Sequence, residues 1–432
     1  MGYAAHSHQS LQGMIAGAIL GGPIANRVGR LRGSLIGAII ALLGTALQAA
    51  AQNLPWLVSC RFLSGLGVGI SDSIIPIWIS EMAPSATRGG DVAFEMIFAG
   101  LGVMTGFWIP YGTSQSGNNA LWWRLPMCIP LIPLIFNLSV LSFLPETPRW
   151  LLSKGKQERG LKEYQRIYGS GLHVDRAFQQ LVCDMSSQYD VVITDGCERK
   201  RHRAPNVGRR FALTVILQTT NTFFSGFGIL LSFSSQVFAL SGLSVKTSGI
   251  LAGCNLTSYA AFFLLGFATT DKVGRRPILI LGALGCGVML LIVGILQALM
   301  DMEGSTSNPS LGAATIACIF LYTACHASSY ASLSWVYPSE IFPQSLRTYG
   351  GTASIVSFAT GNALSTFLAS YLLSTIGGHV FFLFGSLSLL ASFTLWAILP
   401  EVNGLSLEEI DEVFRSGVIC NPKAARLLRR RA

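Results

Sequence analysis

The sequence predicts an all-α integral membrane protein built from two pseudo-symmetric helical bundles. Three observations support this prediction: a long series of apolar stretches, a set of charged motifs that occurs twice, and basic residues concentrated in alternate connections. Hydrophobic residues make up 51% of the 432 residues, whereas charged residues make up only 12%. A soluble core cannot bury so many apolar stretches in series, so a bilayer is the expected surrounding.

The apolar stretches are long enough to cross a membrane. A helix needs about 20 mainly apolar residues to cross a hydrocarbon core about 30 Å thick. Ten stretches meet or approach that length, and the first one is shorter. The sequence therefore predicts eleven transmembrane helices, at roughly 11–25, 33–51, 54–79, 92–111, 125–144, 211–240, 248–269, 277–299, 311–337, 349–373 and 379–399.

Three charged motifs occur twice, in the same order and about 250 residues apart. The spacing E-x-x-P-x-x-x-R at 81–88 recurs at 340–347. The segment 26–30 is repeated at 271–275, and Pro-Glu-Thr at 145–147 has its counterpart in Pro-Glu-Val at 400–402. A fixed order and spacing indicate two homologous halves, because repeated motifs at one offset are the signature of internal duplication.

The two predicted halves are unequal, with five apolar stretches before the central polar segment and six after it. This count predicts that the chain lacks the first helix of its first bundle. A truncated gene model or splice variant is one account, and a genuine eleven-span protein is the other. The expected organisation is a first bundle at 1–144, a linker with short amphipathic helices at 145–210, a second bundle at 211–400 and a tail at 401–432.

The basic residues lie in alternate connections between the predicted helices. The net charge is +9, yet the side opposite the linker holds only Lys246 and, at a helix edge, Arg124. This bias predicts that the basic side and the C-terminus face the cytoplasm. We therefore expect the basic tail to contact lipid headgroups and not nucleic acid.

The motifs carry a resemblance to a known family. The run P-E-T-P-R-W-L-L at 145–152 resembles the signature that follows the sixth helix of the sugar porters, a family of the major facilitator superfamily. The segments 61–89, 271–276, 335–347 and 400–410 are similar to four further motifs of that family, in the same order. The resemblance implies a major facilitator fold of two bundles, with eleven helices here in place of twelve. The helices of the first bundle match helices 2–6 of the family, and those of the second bundle match helices 7–12. It implies a monomeric, fungal-type alternating-access carrier of sugars or polyols in the plasma membrane.

The repeated charges suggest a gate at the cytoplasmic end. Charges at helix ends can pair across the two bundles and bias a rocking equilibrium, whereas a static solvated rim is the alternative. Exposed pairs contribute only about 0–1 kcal/mol each, so a network is required. The expected gate residues are Arg30, Glu81, Arg88, Glu146, Arg149, Asp271, Arg275, Arg276, Glu340, Arg347 and Glu401.

The predicted substrate site departs from the family pattern. Several amide residues of the family's seventh helix are absent, and Thr222 and Phe223 stand at the places of two glutamines. Trp335 matches a tryptophan that stacks on sugar in the family, with a core role as the alternative. Asn362 matches an eleventh-helix asparagine, with helix–helix bonding as the alternative. The other candidates are Gln218, Asn221, Thr222 and Ser232, which share or adjoin one helical face, and Glu95, at a position where the family commonly has glutamine.

Ionisable residues inside predicted spans are candidates for proton coupling, because buried charges in a membrane are costly and usually functional. In proton-coupled relatives an acid on the first helix pairs with the arginine that corresponds to Arg61. Asp72 is eleven residues further on, about 16 Å along a helix axis, which is too far for a direct pair. Glu95 is therefore the favoured proton site, and we expect His326 to form a local hydrogen bond.

The sequence contains no nucleophile–base set and no metal-ligand spacing, so we expect neither an enzyme nor a cofactor or metal. The first hypothesis is a secondary transporter of a sugar or polyol, with proton symport as an option. A non-transporting sugar sensor or truncated inactive isoform is the second, and an efflux carrier for a less polar metabolite is the third. The short tail argues against a sensor.

Overall fold

The computed structural model describes residues 2–82, 88–115, 121–189, 206–302, 308–343, 346–403, 405 and 407–415. Within these residues the chain forms helices and no strand, which confirms the predicted all-α class. Each of the eleven predicted apolar stretches lies on one of these helices or on two consecutive ones.

The first half contains six helices. They are α1 (Gly2–Val28), α2 (Arg30–Ala49), α3 (Leu54–Met82), α4 (Arg88–Ser114), α5 (Leu121–Cys128) and α6 (Leu131–Phe143). Helices α5 and α6 follow each other closely and together form one candidate span, Trp123–Phe143.

In the residues that the structure describes, the linker carries three helices, and the second half and tail carry nine more. The linker helices are α7 (Pro148–Ser153), α8 (Gln157–Tyr168) and α9 (Leu172–Tyr189). The later helices are α10 (Val207–Thr219), α11 (Phe227–Ala239), α12 (Val245–Val273), α13 (Arg275–Met302), α14 (Pro309–His326), α15 (Ser332–Ile341), α16 (Arg347–Ile376), α17 (Val380–Ile398) and α18 (Leu407–Arg415).

Two π-helical turns interrupt long helices of the second half. Thr220–Phe224 joins α10 to α11, and Ala327–Ala331 joins α14 to α15. Such turns are rare and occur frequently at functional sites, because they widen the helix and redirect its side chains. Both turns lie in the interior of their spans.

The described helices include eight candidate membrane spans. One of them, Arg347–Ile398, contains both α16 and α17. The α5–α6 span is the most exposed of these candidates: only 6% of the residues in its 18-residue apolar segment within Trp123–Phe143 are buried, against 39% or more in the other seven. No helix in the described residues of the first half corresponds to the α10–α11 unit of the second half.

The contacts between the two halves include two extensive helix pairs, α1 with α16 and α4 with α12. On one side, the Thr352 hydroxyl of α16 donates to the carbonyl of Ala18 on α1 at 3.2 Å. On the other, the Trp108 indole of α4 donates to the Thr257 hydroxyl of α12 at 2.9 Å. A Cβ on Gly253 of α12 would collide with the Trp108 ring, so glycine permits this close approach of the helices.

Candidate functional site

The repeated motifs form one structural unit in the first half, at the end of the bundle that we call the motif end. Gly29 adopts φ 113°, a conformation that favours glycine, and so begins α2 directly after α1. The Glu146 carboxylate accepts hydrogen bonds from the backbone nitrogens of Arg30 at 3.0 Å and Leu31 at 3.2 Å. The Arg30 guanidinium pairs with Glu81 at 3.2 Å. A carboxylate at a helix N-terminus satisfies free N–H groups and interacts favourably with the helix dipole.

The second half repeats this unit residue for residue. Gly274 adopts φ 106° between α12 and α13. The Glu401 carboxylate accepts hydrogen bonds from the backbone nitrogens of Arg275 at 3.2 Å and Arg276 at 3.0 Å. The Arg275 guanidinium pairs with Glu340 at 3.0 Å. The duplicated sequence motifs therefore form the same hydrogen bonds and ion pair in both halves.

These ion pairs differ from the pairing expected from sequence. Arg30–Glu81 and Arg275–Glu340 each join two residues of the same half, so they do not tie the halves together. The reason is topological, because each arginine begins a helix that packs beside the helix carrying its own motif glutamate. These two pairs are therefore contacts within each half, and a latch between the halves through the other motif charges stays a prediction.

The remaining predicted gate residues take different places. Arg276 donates to the Trp396 carbonyl at 2.7 Å, and Arg149 lies partly buried on α7. Arg347 is buried and lines a cavity between the halves. The side chains of Arg88 and Asp271 are outside the part of the chain that the structure describes.

A large cavity lies between the halves toward the end opposite the motifs; we call it the outer cavity. Its volume is about 510 Å³, within the range typical of small-molecule sites. Among the described residues no charged side chain lines it. Its walls combine hydroxyl, amide and aromatic groups, and include Phe107, Tyr111, Ser232, Phe233, Ser235, Gln236 and Thr366.

Two exposed polar side chains of α11 face this cavity. Ser232 and Gln236 both line it, on either side of a kink at Phe233. Thr366 of α16 donates to the Asn362 side chain at 3.3 Å, which places Asn362 one turn away from the cavity wall. Of the predicted substrate residues, Ser232 therefore lines the outer cavity. Asn362 does not line it and lies one helical turn from the lining residue Thr366.

A second, much smaller cavity lies nearer the motif end; we call it the inner cavity. Its volume is about 30 Å³. Its lining includes Asp72 and Pro76 of α3, Trp335 of α15 and Arg347 of α16. The Trp335 ring also packs on Phe358, with ring centroids 5.1 Å apart. Of these two cavities, the larger lies toward the outer end and the smaller toward the motif end.

The polar substrate candidates on α10 and its π-helical turn are buried in contacts between helices. Gln218 donates to the Ser334 carbonyl at 3.0 Å and to the Ser354 hydroxyl at 2.6 Å. Asn221 donates to the Ser334 hydroxyl at 3.1 Å, and the Thr222 hydroxyl bonds back to the Gln218 carbonyl. These three side chains connect α10 and its π-helical turn to α15 and α16, and they do not line either cavity.

His326 lies where the two π-helical turns meet. Its imidazole stacks on Phe227 with centroids 4.4 Å apart and planes 4° from parallel. Its Nε2 lies 3.4 Å from the Asn221 carbonyl. This contact agrees with the expected local hydrogen bond, and it joins α14 to the turn that follows α10.

The charged candidates for proton coupling lie on helices α3 and α4 of the first half. Glu95 of α4 is partly buried, and its buried Oε2 has no hydrogen-bond partner among the described atoms. Asp72 lies close enough to Glu95 for the two carboxylates to interact electrostatically. The Arg61 guanidinium contacts the Met127 sulfur at 3.8 Å. The described residues contain no cluster of metal-ligand type.

Several lining residues were not predicted from the sequence. Phe107, Tyr111, Gln236 and Thr366 line the outer cavity, yet none belongs to a charged motif. The spacing of Phe107 and Tyr111, four residues apart on one helical face, is the one signal that the sequence offers, and it is equally typical of a lipid-facing stripe.

Comparison with known proteins identifies the family of this chain. The family model described as "Sugar (and other) transporter" matches residues 9–414. The chain belongs to this family of transporters. It is consequently a multi-pass integral membrane transporter and not an enzyme.

Individual relatives agree with this assignment. The chain is 30% identical to a probable quinate permease of Aspergillus fumigatus, over 97% of this chain and 80% of that protein. It is 28% identical to myo-inositol transporter 1 of Candida albicans, over 94% and 74% of the two chains. It also resembles the solved structure of the proton:xylose symporter XylE bound to 6-bromo-6-deoxy-D-glucose, with a TM-score of 0.77, 25% identity and coverage of 94% and 88%.

Proposed function

We propose that this transporter carries a multiply hydroxylated ring solute by alternating access, as a monomer in the plasma membrane. The observation that supports this proposal is the unequal pair of cavities between the halves. The outer cavity, about 510 Å³, is large enough for a small solute, whereas the inner cavity is about 30 Å³. This is the arrangement expected of a carrier that is open to one side only. The basic bias of the motif end supports a cytoplasmic location for that end and for the C-terminus.

The chemistry of the outer cavity suits a hydroxylated ring. Ser232, Ser235 and Gln236 supply hydrogen-bond donors and acceptors, while Phe107 and Tyr111 supply apolar faces. Quinate, myo-inositol and xylose, which name three of the similar proteins, are all rings or ring-forming compounds with several hydroxyl groups. A polar–aromatic lining recognises such solutes by hydrogen bonds to hydroxyls and by contact with the C–H face of the ring.

We further propose that solute movement is coupled to protons through Glu95, with Asp72 as a second acid and Arg61 as a basic residue of the same half. A carboxyl group inside a membrane protein is costly when ionised, so it binds and releases protons as its access to water changes. The buried, unpartnered Oε2 of Glu95 and its electrostatic interaction with Asp72 support this role. The similar symporter XylE is described as proton-coupled.

The test is uptake by the purified full chain in proteoliposomes. Radiolabelled myo-inositol, xylose and quinate are supplied outside, with and without an inward proton gradient. We expect saturable uptake of at least one of them, increased by the gradient, and none by protein-free vesicles. Absence of both uptake and exchange for every hydroxylated ring would contradict the proposal and favour a non-transporting sensor.

A second candidate function is efflux of a less polar metabolite. The aromatic part of the outer cavity, Phe107, Tyr111 and Phe233, is the observation that favours it. The same vesicles separate the two functions, because an efflux carrier would exchange apolar aromatic solutes while myo-inositol and xylose fail to compete.

A further inference from the structure

The outer cavity has two walls of different chemistry, and each half of the protein supplies one of them. The wall on α4 of the first half consists of Val103, Gly106, Phe107, Pro110 and Tyr111. Its one polar side-chain group, the Tyr111 hydroxyl, donates to the Lys246 carbonyl at 3.3 Å. The second half supplies the hydroxyl and amide groups of the lining, on Ser232, Ser234, Ser235, Gln236 and Thr366.

The wall on α4 carries aligned aromatic rings. The rings of Phe107 and Tyr111 lie within 12° of parallel, with centroids 6.1 Å apart. Trp108 lies edge-on to both of them, at 83° and 84°. Two successive turns of α4 therefore present an aromatic surface that is longer than a single ring.

Contacts with α12 hold these rings in place. A Cβ on Gly249 would lie 2.5 Å from the Tyr111 ring, and a Cβ on Gly253 would lie 2.5 Å from the Trp108 ring. The Trp108 indole also donates to the Thr257 hydroxyl at 2.9 Å. A surface that is fixed before a ligand arrives binds it without a further cost of ordering side chains.

A free sugar or polyol fits only one of the two walls. It carries hydroxyl groups around its whole ring, so those directed at α4 would lose water without gaining a hydrogen bond, which is costly. A solute with hydroxyls on one side and an apolar group on the other finds suitable partners at both walls. The volume of about 510 Å³ has room for both parts, since sites of this size hold drug-sized molecules.

We infer that the outer cavity binds a hydroxylated ring that carries an aryl group, as in an aryl glycoside. The hydroxylated ring contacts Ser232 and Gln236 of α11, and the aryl group contacts Phe107 and Tyr111 of α4. The whole solute is uncharged, because no charged side chain lines the described part of this cavity. This inference rests on the proposed function in taking the outer cavity as the solute site, but it concerns binding and its test requires no transport.

The test compares two glycosides that differ only in their apolar group. Phenyl β-D-xylopyranoside is titrated into the purified full chain in detergent by isothermal titration calorimetry, and titration into protein-free micelles is subtracted. Methyl β-D-xylopyranoside is then measured by its displacement of the phenyl compound. We expect the phenyl compound to bind about tenfold more tightly, because its ring buries more apolar surface than a methyl group.

The ratio of the two dissociation constants identifies the wall that holds the aryl group. We expect Phe107→Ala to lower the ratio from about ten to about three, and Phe107→Tyr, which keeps the ring, to leave it near ten. Gln236→Ala should weaken both glycosides about three- to tenfold at an unchanged ratio, since it contacts the shared sugar ring. Phe98→Ala is the matched control, because Phe98 is an exposed aromatic residue of α4 that does not line the cavity.

Three results would overturn the inference. They are no binding of the phenyl glycoside, a ratio below about two in the unsubstituted protein, and a ratio that stays near ten in folded Phe107→Ala. If Phe107→Ala does not fold, Phe107→Leu decides, because it keeps an apolar side chain without the ring and should also lower the ratio.

Failure of this inference is distinguishable from failure of the carrier function. Glycosides that bind with the expected ratio, in a protein that exchanges no solute across vesicles, would count against the carrier function alone. Uptake of free xylose by a protein whose ratio is near one would remove the inference and leave the carrier function standing.

Discussion

The Glu401 carboxylate accepts the backbone N–H of Arg276 at 3.0 Å and thereby caps the first turn of α13. Glu146 caps α2 in the same way through the backbone nitrogen of Arg30. The duplicated motifs consequently organise the short connections at the motif end of each half. The two glutamates fix the starts of α2 and α13.

Removing either cap should lower stability. We expect Glu401→Ala to reduce the free energy of unfolding by about 1–2 kcal/mol, because the first N–H groups of α13 lose a charged acceptor. Glu401→Gln, which retains one carbonyl oxygen, should lose about half as much. Thermal unfolding in detergent measures both changes. Equal melting temperatures for the three proteins would show that the cap contributes nothing.

Gln218 and Gln236 should respond differently to truncation, although both were polar residues of the same predicted span. Gln218 is buried between helices, so Gln218→Ala should lower the melting temperature while changing KM less than about twofold. Gln236 faces the outer cavity, so Gln236→Ala should raise KM about three- to tenfold with little change in melting temperature. The reverse pattern would place the solute among the buried amides.

Glu95→Gln should separate solute movement from proton movement. The amide keeps the shape of the side chain but cannot bind and release a proton. We expect the proton gradient to lose its effect on uptake, while exchange of labelled for unlabelled solute continues. The measurement is uptake and exchange in the same vesicles across a range of pH values. Gradient-driven uptake that equals the unsubstituted protein would remove Glu95 from the coupling mechanism.

The tail helix α18, the last one in the described residues, should be needed for stability of the second half. Phe414 is fully buried against α10 and α15, and the Arg210 guanidinium lies 4.3 Å from its ring centroid while pairing with Asp411 at 2.6 Å. Phe414→Ala is expected to cost about 3–5 kcal/mol, as for other buried aromatic residues. Chemical unfolding gives this value. Asp411→Asn, at a more exposed position, serves as the milder control.

Much of the fold could be predicted because its determinants are local and repeated. Apolar length predicted the helices, and the duplicated motifs predicted two halves. The partners of the motif charges could not be predicted, since spacing shows that Glu81 and Glu340 are equivalent but does not show which arginine each contacts. That depends on which helices pack side by side.

The site was harder to predict than the fold. Periodicity placed Gln218 and Asn221 on one face, but it could not show that this face packs on α15 and α16. The lining residues Gln236 and Thr366 are ordinary polar residues in apolar spans, so they carry no sequence signal. Their importance arises from two helices that meet across a cavity.

Counterflow in proteoliposomes tests the central claim most directly. Vesicles containing the full chain are loaded with unlabelled solute, and the entry of labelled myo-inositol, xylose or quinate is followed for the unsubstituted protein and for Gln236→Ala. The account predicts transient accumulation of at least one labelled ring solute, with a weaker apparent affinity in the variant. Accumulation of none of them in vesicles that hold folded protein would contradict it.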